Sequence, residues 1–167
     1  MSKKRVDLFV GAVLTISDGV SSGHREDVSG SLIREFMDAS GIDIAKSKVI
    51  PDEAEAIKET IVVWAPLVDL ILTTGGTGLG PRDVTPEATN EVLERHIPGI
   101  TEAMRIGTLK FTPMAMLGRG LAGIRSSCLI VNLPGSPKAV RESLDVLDPV
   151  IHHALQVVTG DTNHENA

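Results

Sequence analysis

The chain has 167 residues, 42% of them hydrophobic and only 2% aromatic, with a formal charge of -6 at pH 7. That length suits one domain over residues 1–167, able to bury roughly two thirds of its unfolded surface without disulfide or metal staples. The acidic balance, with one Trp, three Phe and no Tyr, argues against nucleic acid as a partner, and no apolar run approaches the ~20 residues of a membrane span.

In chain order, the opening "MSKKRVDLFVGAVLTISDG" puts basic residues before apolar ones, as a secretory leader would. It lacks a small-x-small cleavage site, and "LFVGAVLTI" enters a turn at Ser17, Asp18 and Gly19, so a first buried strand is expected instead. Val28, Leu32, Ile33, Phe36 and Met37 then share one helical face that Gly41 would close. "AKSKVI" reads as a second strand, and Ile57, Ile61 and Val62 begin another helical stripe stopped by Pro66. The apolar run "LVDLILTT", Leu67 to Thr74, is a third strand of buried parallel type. It feeds the loop "GGTGLGPRDV", after which Thr85 reads as a helix N-cap, Pro86 as the first helical residue and Glu87 as an acidic first turn. Val92, Met104 and Leu109 belong to helices around Pro98 and Gly99.

"GLAGIRSSCLIVNL" reads as a hairpin turning at Ser126 and Ser127. Within it Cys128 fits a reduced, buried thiol acting as a small hydrophobe, which suits a cytoplasmic protein. Val140, Leu144, Leu147, Ile151 and Leu155 mark a long last helix that Pro149 is expected to restart or kink, and the polar end from residue 160 is expected to fray. Strands alternating with helices predict an α/β fold: a mostly parallel, doubly wound sheet covered on both faces, with an edge hairpin.

In such a sheet, ligands gather outside the carboxyl ends of the strands. Three strands end there in suspicious loops: "SDGVSSG" (Ser17 to Gly23), "TGGTG" (Thr74 to Gly78) and "LPGSP" (Leu133 to Pro137), where Ser136 is placed to cap the last helix. Glycines at such ends let main-chain N–H groups approach a phosphate. Gly75 and Gly80 have Walker spacing, but Pro81 and Arg82 follow where Lys and Ser/Thr should stand, and the GxGxG at Gly76, Gly78 and Gly80 does not continue as a dinucleotide fingerprint. The five histidines show no zinc-ligand spacing, and Ser17 and Ser136 have no relay partners in sequence. Among the acids, Asp83 beside Arg82 and the glycine loop makes sense near phosphate only with a cation between them. Asp52 has two readings, a metal ligand or a capping box with Glu55, and Asp18, Glu26 and Asp27 are weaker candidates.

The stretches "ISDGVSSGHREDVSG", "IPDE", "LTTGGTGLGPRDVTPEA", "LAGIR" and "NLPGSPKAV", in order from about Val6 to Leu155, resemble the molybdopterin-binding domain of the MogA/MoaB type, related to the G domain of gephyrin. The resemblance implies a three-layer α/β/α sandwich, a homotrimer, and a molybdopterin adenylyltransferase. In that reaction the terminal phosphate of molybdopterin attacks the α-phosphate of Mg-ATP, giving adenylylated molybdopterin and pyrophosphate. It implies Asp52 and Asp83 as the functional acids and magnesium ligands. Asp18 would be the first-loop acid, and Thr74, Gly75, Gly76, Thr77, Gly78 and Ser136 would contact the substrate phosphate. Ser17, Pro134 and Gly135 complete the substrate-facing loops, and Arg82 or Lys138 would offset charge. A molybdenum insertase is a candidate downstream partner. Two other classes stand beside the enzyme: a molybdopterin-binding carrier that catalyses little, and an assembly scaffold, the latter disfavoured by the absence of a linker or second module.

Overall fold

The computed structural model describes residues 8–160, so the tail expected to fray lies, apart from Gly160, outside the described residues. Its strands are β1 (Val10–Ile16), β2 (Asp43–Ile50), β3 (Leu70–Thr74), β4 (Arg95–His96), β5 (Ala122–Arg125) and β6 (Cys128–Leu133). Its α-helices are α1 (Asp18–Ser21), α2 (Val28–Ala39), α3 (Ala54–Trp64), α4 (Thr85–Val92), α5 (Pro98–Leu109) and α6 (Pro137–Thr159), with a 3-10 turn over Pro113–Leu117. The sheet runs β2-β1-β3-β6-β5-β4; β2, β1, β3 and β6 are parallel, and β4 and β5 form the antiparallel edge. The two-residue β4 carried no strand signal in the sequence.

Side-chain alternation sorts each central strand between two cores. Val13, Leu70, Leu72, Leu129, Val131 and Leu133 face α2, α5 and α6, while Ala12, Leu14, Ile16, Ile71, Cys128 and Ile130 face α3 and α4. Each fully buried Leu or Ile contributes about 1.5–3 kcal/mol, more than an exposed ion pair such as Lys58 with Glu91. Packing on two faces, and not surface charge, therefore holds the sheet.

The expected hairpin is present, and Ser126 and Ser127 both adopt left-handed φ, 53° and 49°. That geometry matches the twist of the flanking strands even without the usual Asn-Gly pair. Gly41 closes α2 at φ 68°. The last helix does not restart at Pro149: α6 is continuous to Thr159, since Pro149 is exposed and water can take up the carbonyl it leaves unbonded. Among the described residues no helix is long and apolar enough to cross a membrane.

Strand register positions the site. Thr15 lies opposite Thr74, and Thr74 opposite Leu133, so β1, β3 and β6 end flush. The loops that leave these three strands are thereby brought to one edge of the sheet.

Candidate active site

The loop after β3 is built by two glycines in the left-handed region, Gly75 at φ 97° and Gly76 at φ 63°. A side chain on Gly75 would be driven into the Ile16 carbonyl oxygen, and one on Gly76 would meet Thr85 Oγ1 and lie 3.0 Å from Asp52 Oδ1. The bare backbone is thus what lets the loop pass between the end of β1 and Asp52. Thr85 is not the N-cap the sequence suggested. Val84 holds that position without a side-chain bond, while the buried Thr85 hydroxyl donates to Gly75 O at 2.9 Å and its N–H donates to Gly76 O at 3.1 Å. Thr85 clamps the glycine turn.

Farther along, Arg119 straps the loop down. Its Nε donates to Gly78 O at 2.7 Å, its Nη2 to Asp83 O at 2.8 Å, and its Nη1 pairs with Glu87. Within that strap the Asp83 carboxylate accepts from Gly80 N–H at 2.8 Å through Oδ2, and a Cβ added at Gly78 or Gly80 would crowd the same oxygen at 2.9 Å. No protein acceptor takes the main-chain N–H groups of Gly76, Thr77 and Gly78 among the described residues, which leaves them for an incoming anion.

The capping-box reading of Asp52 is overturned. The N-cap of α3 is Glu53, and Asp52 instead forms a reciprocal pair with the first loop: Asp18 N–H donates to Asp52 Oδ2 at 2.8 Å, and Asp52 N–H donates to Asp18 Oδ1 at 3.0 Å. Arg82 then grips Asp18 with Nε at 3.0 Å and Nη2 at 2.9 Å. These hydrogen bonds, that of Arg82 first, hold the Asp18 carboxyl below its usual range. Burial pushes the Asp52 carboxyl up, the charges of Asp18 and Asp83 add to that, and the Asp18 N–H opposes it. The Asp83 charge thus reaches Asp52, and both acids line one cleft.

That cleft, of about 500 Å³, is lined by Ser17, Arg25, Asp52, Thr74, Gly75 and Gly76, together with Asp83, Gly135 and Ser136. The third loop is tied in by Thr74 Oγ1 donating to Pro134 O at 2.6 Å and Ser29 Oγ donating to Gly135 O at 2.8 Å. Ser136 caps α6 as expected, accepting from Ala139 N–H at 3.3 Å. Asp27 is a cap too: it accepts from Gly30 N–H at 2.9 Å and from Thr15 Oγ1. A second cavity of about 250 Å³ shares Ser136 with the cleft and is lined by Thr77, Asn132 and Pro134. Gly78 borders a third, shallower recess beside Thr77 and Pro134. Lys138 is not brought to the cleft; its side chain is exposed, and its Nζ lies 3.9 Å from Glu142.

Sequence reasoning missed three residues here, Arg25, Arg119 and Asn132, and misread Thr85. Arg25 lines the cleft, with Nη2 at 3.4 Å from Ser17 Oγ. Arg119 and Thr85 act through contacts ten or more residues away. Asn132 donates to Thr73 Oγ1 and Thr89 Oγ1 and accepts from Leu121 N–H; an amide inside the apolar run "CLIVNL" was the signal that could have found it.

The chain matches the family model described as "Probable molybdopterin binding domain" over residues 12–153. It is 46% identical to a gephyrin of Dictyostelium discoideum, covering 94% of this chain but 23% of that protein. It is 39% identical to a molybdopterin adenylyltransferase of Helicobacter pylori, covering 89% of this chain and 87% of that one. Among solved structures, the molybdopterin biosynthesis enzyme MoaB of Thermus thermophilus superposes with a TM-score of 0.87 at 50% identity, over 92% of this chain and 98% of that one. With its flush strand ends, its glycine loop and these matches, the chain belongs to the MogA/MoaB-type molybdopterin-binding domain family.

Proposed function

We propose that this chain is a molybdopterin adenylyltransferase of molybdenum cofactor biosynthesis, acting as a single domain in the cytoplasm. A terminal phosphate oxygen of molybdopterin forms a bond to the α-phosphorus of ATP, the bond from that phosphorus to the β-bridging oxygen breaks, and pyrophosphate leaves. The observation that carries this reading is the placing of Asp52 and Asp83 on one cleft with the glycine loop between the ends of β1 and β6.

The attacking phosphate is already anionic, so the reaction needs positioning and charge neutralisation more than a general base. The N–H groups of Gly76, Thr77 and Gly78 orient a phosphate, and Ser136, lining both cavities, stands where two substrates would meet. Arg82 holds Asp18 and through it Asp52; Arg25 and Arg82 are the cations near the cleft that can offset charge on the leaving pyrophosphate. Asp52 and Asp83 offer hard carboxylate oxygens without a cationic partner, a donor set that fits Mg²⁺. Among the described residues there is no group of three or more His, Cys, Asp or Glu placed to hold a metal ion, so phosphate oxygens and water would complete the shell, as Mg²⁺ prefers. When bound there, the ion supplies neutralisation of phosphate charge.

A homotrimer is supported by exposed apolar surface: Ile106, Phe111, Met114 and Met116 face solvent, and a groove between α5 and α6 is walled by Ile100, Val146 and Val157. Mass measurement by light scattering tests it, and co-purification tests an insertase partner. The activity is tested by mixing the protein with molybdopterin, ATP and Mg²⁺ and following pyrophosphate. The parent releases it and Asp83→Asn slows release by on the order of 10²–10⁴-fold. Molybdopterin binding by the parent without pyrophosphate would instead identify a carrier.

A further inference from the structure

Among the described residues the larger cleft is lined by four acids, Glu26, Asp27, Asp52 and Asp83, and by one cation, Arg25. Arg82 and Arg119, arginines of the same edge, are tied to Asp18 and to Glu87 with two loop carbonyls. Arg25 has no carboxylate partner among the described residues, and of its side-chain donors only Nη2 is engaged there, at 3.4 Å from Ser17 Oγ. Its place is nonetheless built. The main-chain N–H groups of His24 and Arg25 both donate to Gly19 O, at 2.9 and 3.0 Å, in a turn where Gly23 takes φ 77°. The guanidinium then lies across the bare face of Gly19, where a Cβ would stand 2.6 Å from Nε and 2.9 Å from Nη2. A planar fork held in this way, with unused donors, suits phosphate oxygens.

Which phosphate meets Arg25 follows from the sheet order, in which β1, β3 and β6 are neighbours. Arg25 rests against Ser17 and Gly19 just after β1, the glycine loop follows β3, and Ser136, where the smaller cavity joins the cleft, follows β6. In-line displacement sets the entering and leaving oxygens on opposite sides of the phosphorus. An α-phosphate over the glycine loop, attacked from the Ser136 side, therefore turns its β- and γ-phosphates toward β1 and Arg25. A cation is needed there. The ion proposed for Asp52 and Asp83 serves phosphates near the glycine loop, whereas the outermost phosphate comes beside Glu26, which lines the same flank of the cleft. We infer that Arg25 is a specificity-determining residue that reads the terminal phosphate of the donor nucleotide, so that the site takes a nucleoside triphosphate in preference to a diphosphate. This rests on the transferase reading and gives Arg25 a task apart from Arg82, which stays with Asp18.

The test is the affinity for ATP, ADP and AMP at one free Mg²⁺ concentration, measured by titration calorimetry without molybdopterin so that nothing is transferred. The parent should prefer ATP to ADP by about 10- to 100-fold, the worth of a hydrogen bond to a charged group. Arg25→Gln should bring that ratio near one with AMP affinity unchanged, and Arg25→Lys, which restores the charge without the fork, should recover part of it. Gly19→Ala is a second probe. The nearest atoms to its methyl all belong to the flexible end of Arg25, so it should melt with the parent yet lose the preference while the arginine is still present. Equal binding of ATP and ADP by the parent, a parallel loss of AMP affinity in Arg25→Gln, or an unchanged ratio there overturns the inference; should that variant not fold, an unchanged ratio in Gly19→Ala does so. Pyrophosphate release by the parent separates the two claims. Triphosphate preference lost in the variants but no turnover would remove the transferase reading and keep Arg25, while turnover with an unchanged ratio would do the opposite.

Discussion

Replacing Gly75 with alanine perturbs the site at the point where its geometry is most constrained. The residue has φ 97°, a region that costs an L-residue about 1–3 kcal/mol. The new methyl would also fall on the Ile16 carbonyl oxygen, well inside the 3.0 Å below which Cβ contacts are essentially not seen. Because that oxygen belongs to the backbone of β1, no rotamer change relieves the clash; strand end and loop must separate. Together these predict a loss of about 2–4 kcal/mol, or a drop in Tm of roughly 5–15 °C at 2–4 °C per kcal/mol for a chain of this size. Gly41→Ala is the control: its φ is 68°, but its Cβ meets open space, so only backbone strain of about 1 kcal/mol remains. Thermal melts followed by circular dichroism compare the two, and the pyrophosphate assay should show activity lost in Gly75→Ala and kept in Gly41→Ala. If both variants melt at the same temperature, the close packing of the glycine turn on β1 is not what shapes the site.

Arg119→Gln should free both carbonyls that hold the Asp83 segment, lowering kcat about 10- to 100-fold and raising the Mg²⁺ concentration for half-maximal rate; a Mg²⁺ titration reads both. Arg82→Gln removes the main cause of the low Asp18 pKa. A depressed carboxyl stabilises the fold above its usual 3.8 and loses that contribution as pH falls through the folded value. The parent should therefore exceed the variant in Tm at neutral pH, with the gap closing well below pH 3.8. Mg²⁺ at 100 times its Kd should add about 2.7 kcal/mol of stability, visible as a rise in Tm that Asp52→Asn abolishes. Cys128, with its thiol pushed up to about 12 by burial, should resist alkylation in the native protein, and rapid labelling would contradict its place in the core.

What the sequence revealed and what it hid divide along the range of the interactions. Apart from β4, the strands, the serine hairpin and the Ser136 cap were legible because short continuous apolar runs and near-neighbour hydrogen bonds leave their mark locally. Thr85-Pro86-Glu87 and Asp52-Glu55 carry equally good local marks for capping, yet both misled. In each case a tertiary partner took the side chain: Gly75 O for the Thr85 hydroxyl, and the Asp18 N–H for the Asp52 carboxylate. Arg119 had no local mark at all, since it binds carbonyls 36 and 41 residues away.

The partners of the acids are the reason two particular carboxylates are proposed as the metal ligands. Asp18 is satisfied by Arg82 and by the Asp52 N–H. Asp27 is satisfied by the Gly30 N–H and the Thr15 hydroxyl, with Arg34 at 3.6 Å, while Glu26 stands exposed. Asp83 receives one N–H, and Asp52, desolvated and between two like charges, receives one N–H and feels the Arg82 charge without forming an ion pair with it. A polyphosphate brought to this edge would meet repulsion from these two acids unless a divalent cation bridged them to it. The arginines that might have served the phosphates directly are partly spent on holding acids and loops in place. The same side chains that shape the cleft thus leave acids there that no arginine pairs with, and neutralising them toward phosphate is the task proposed for Mg²⁺.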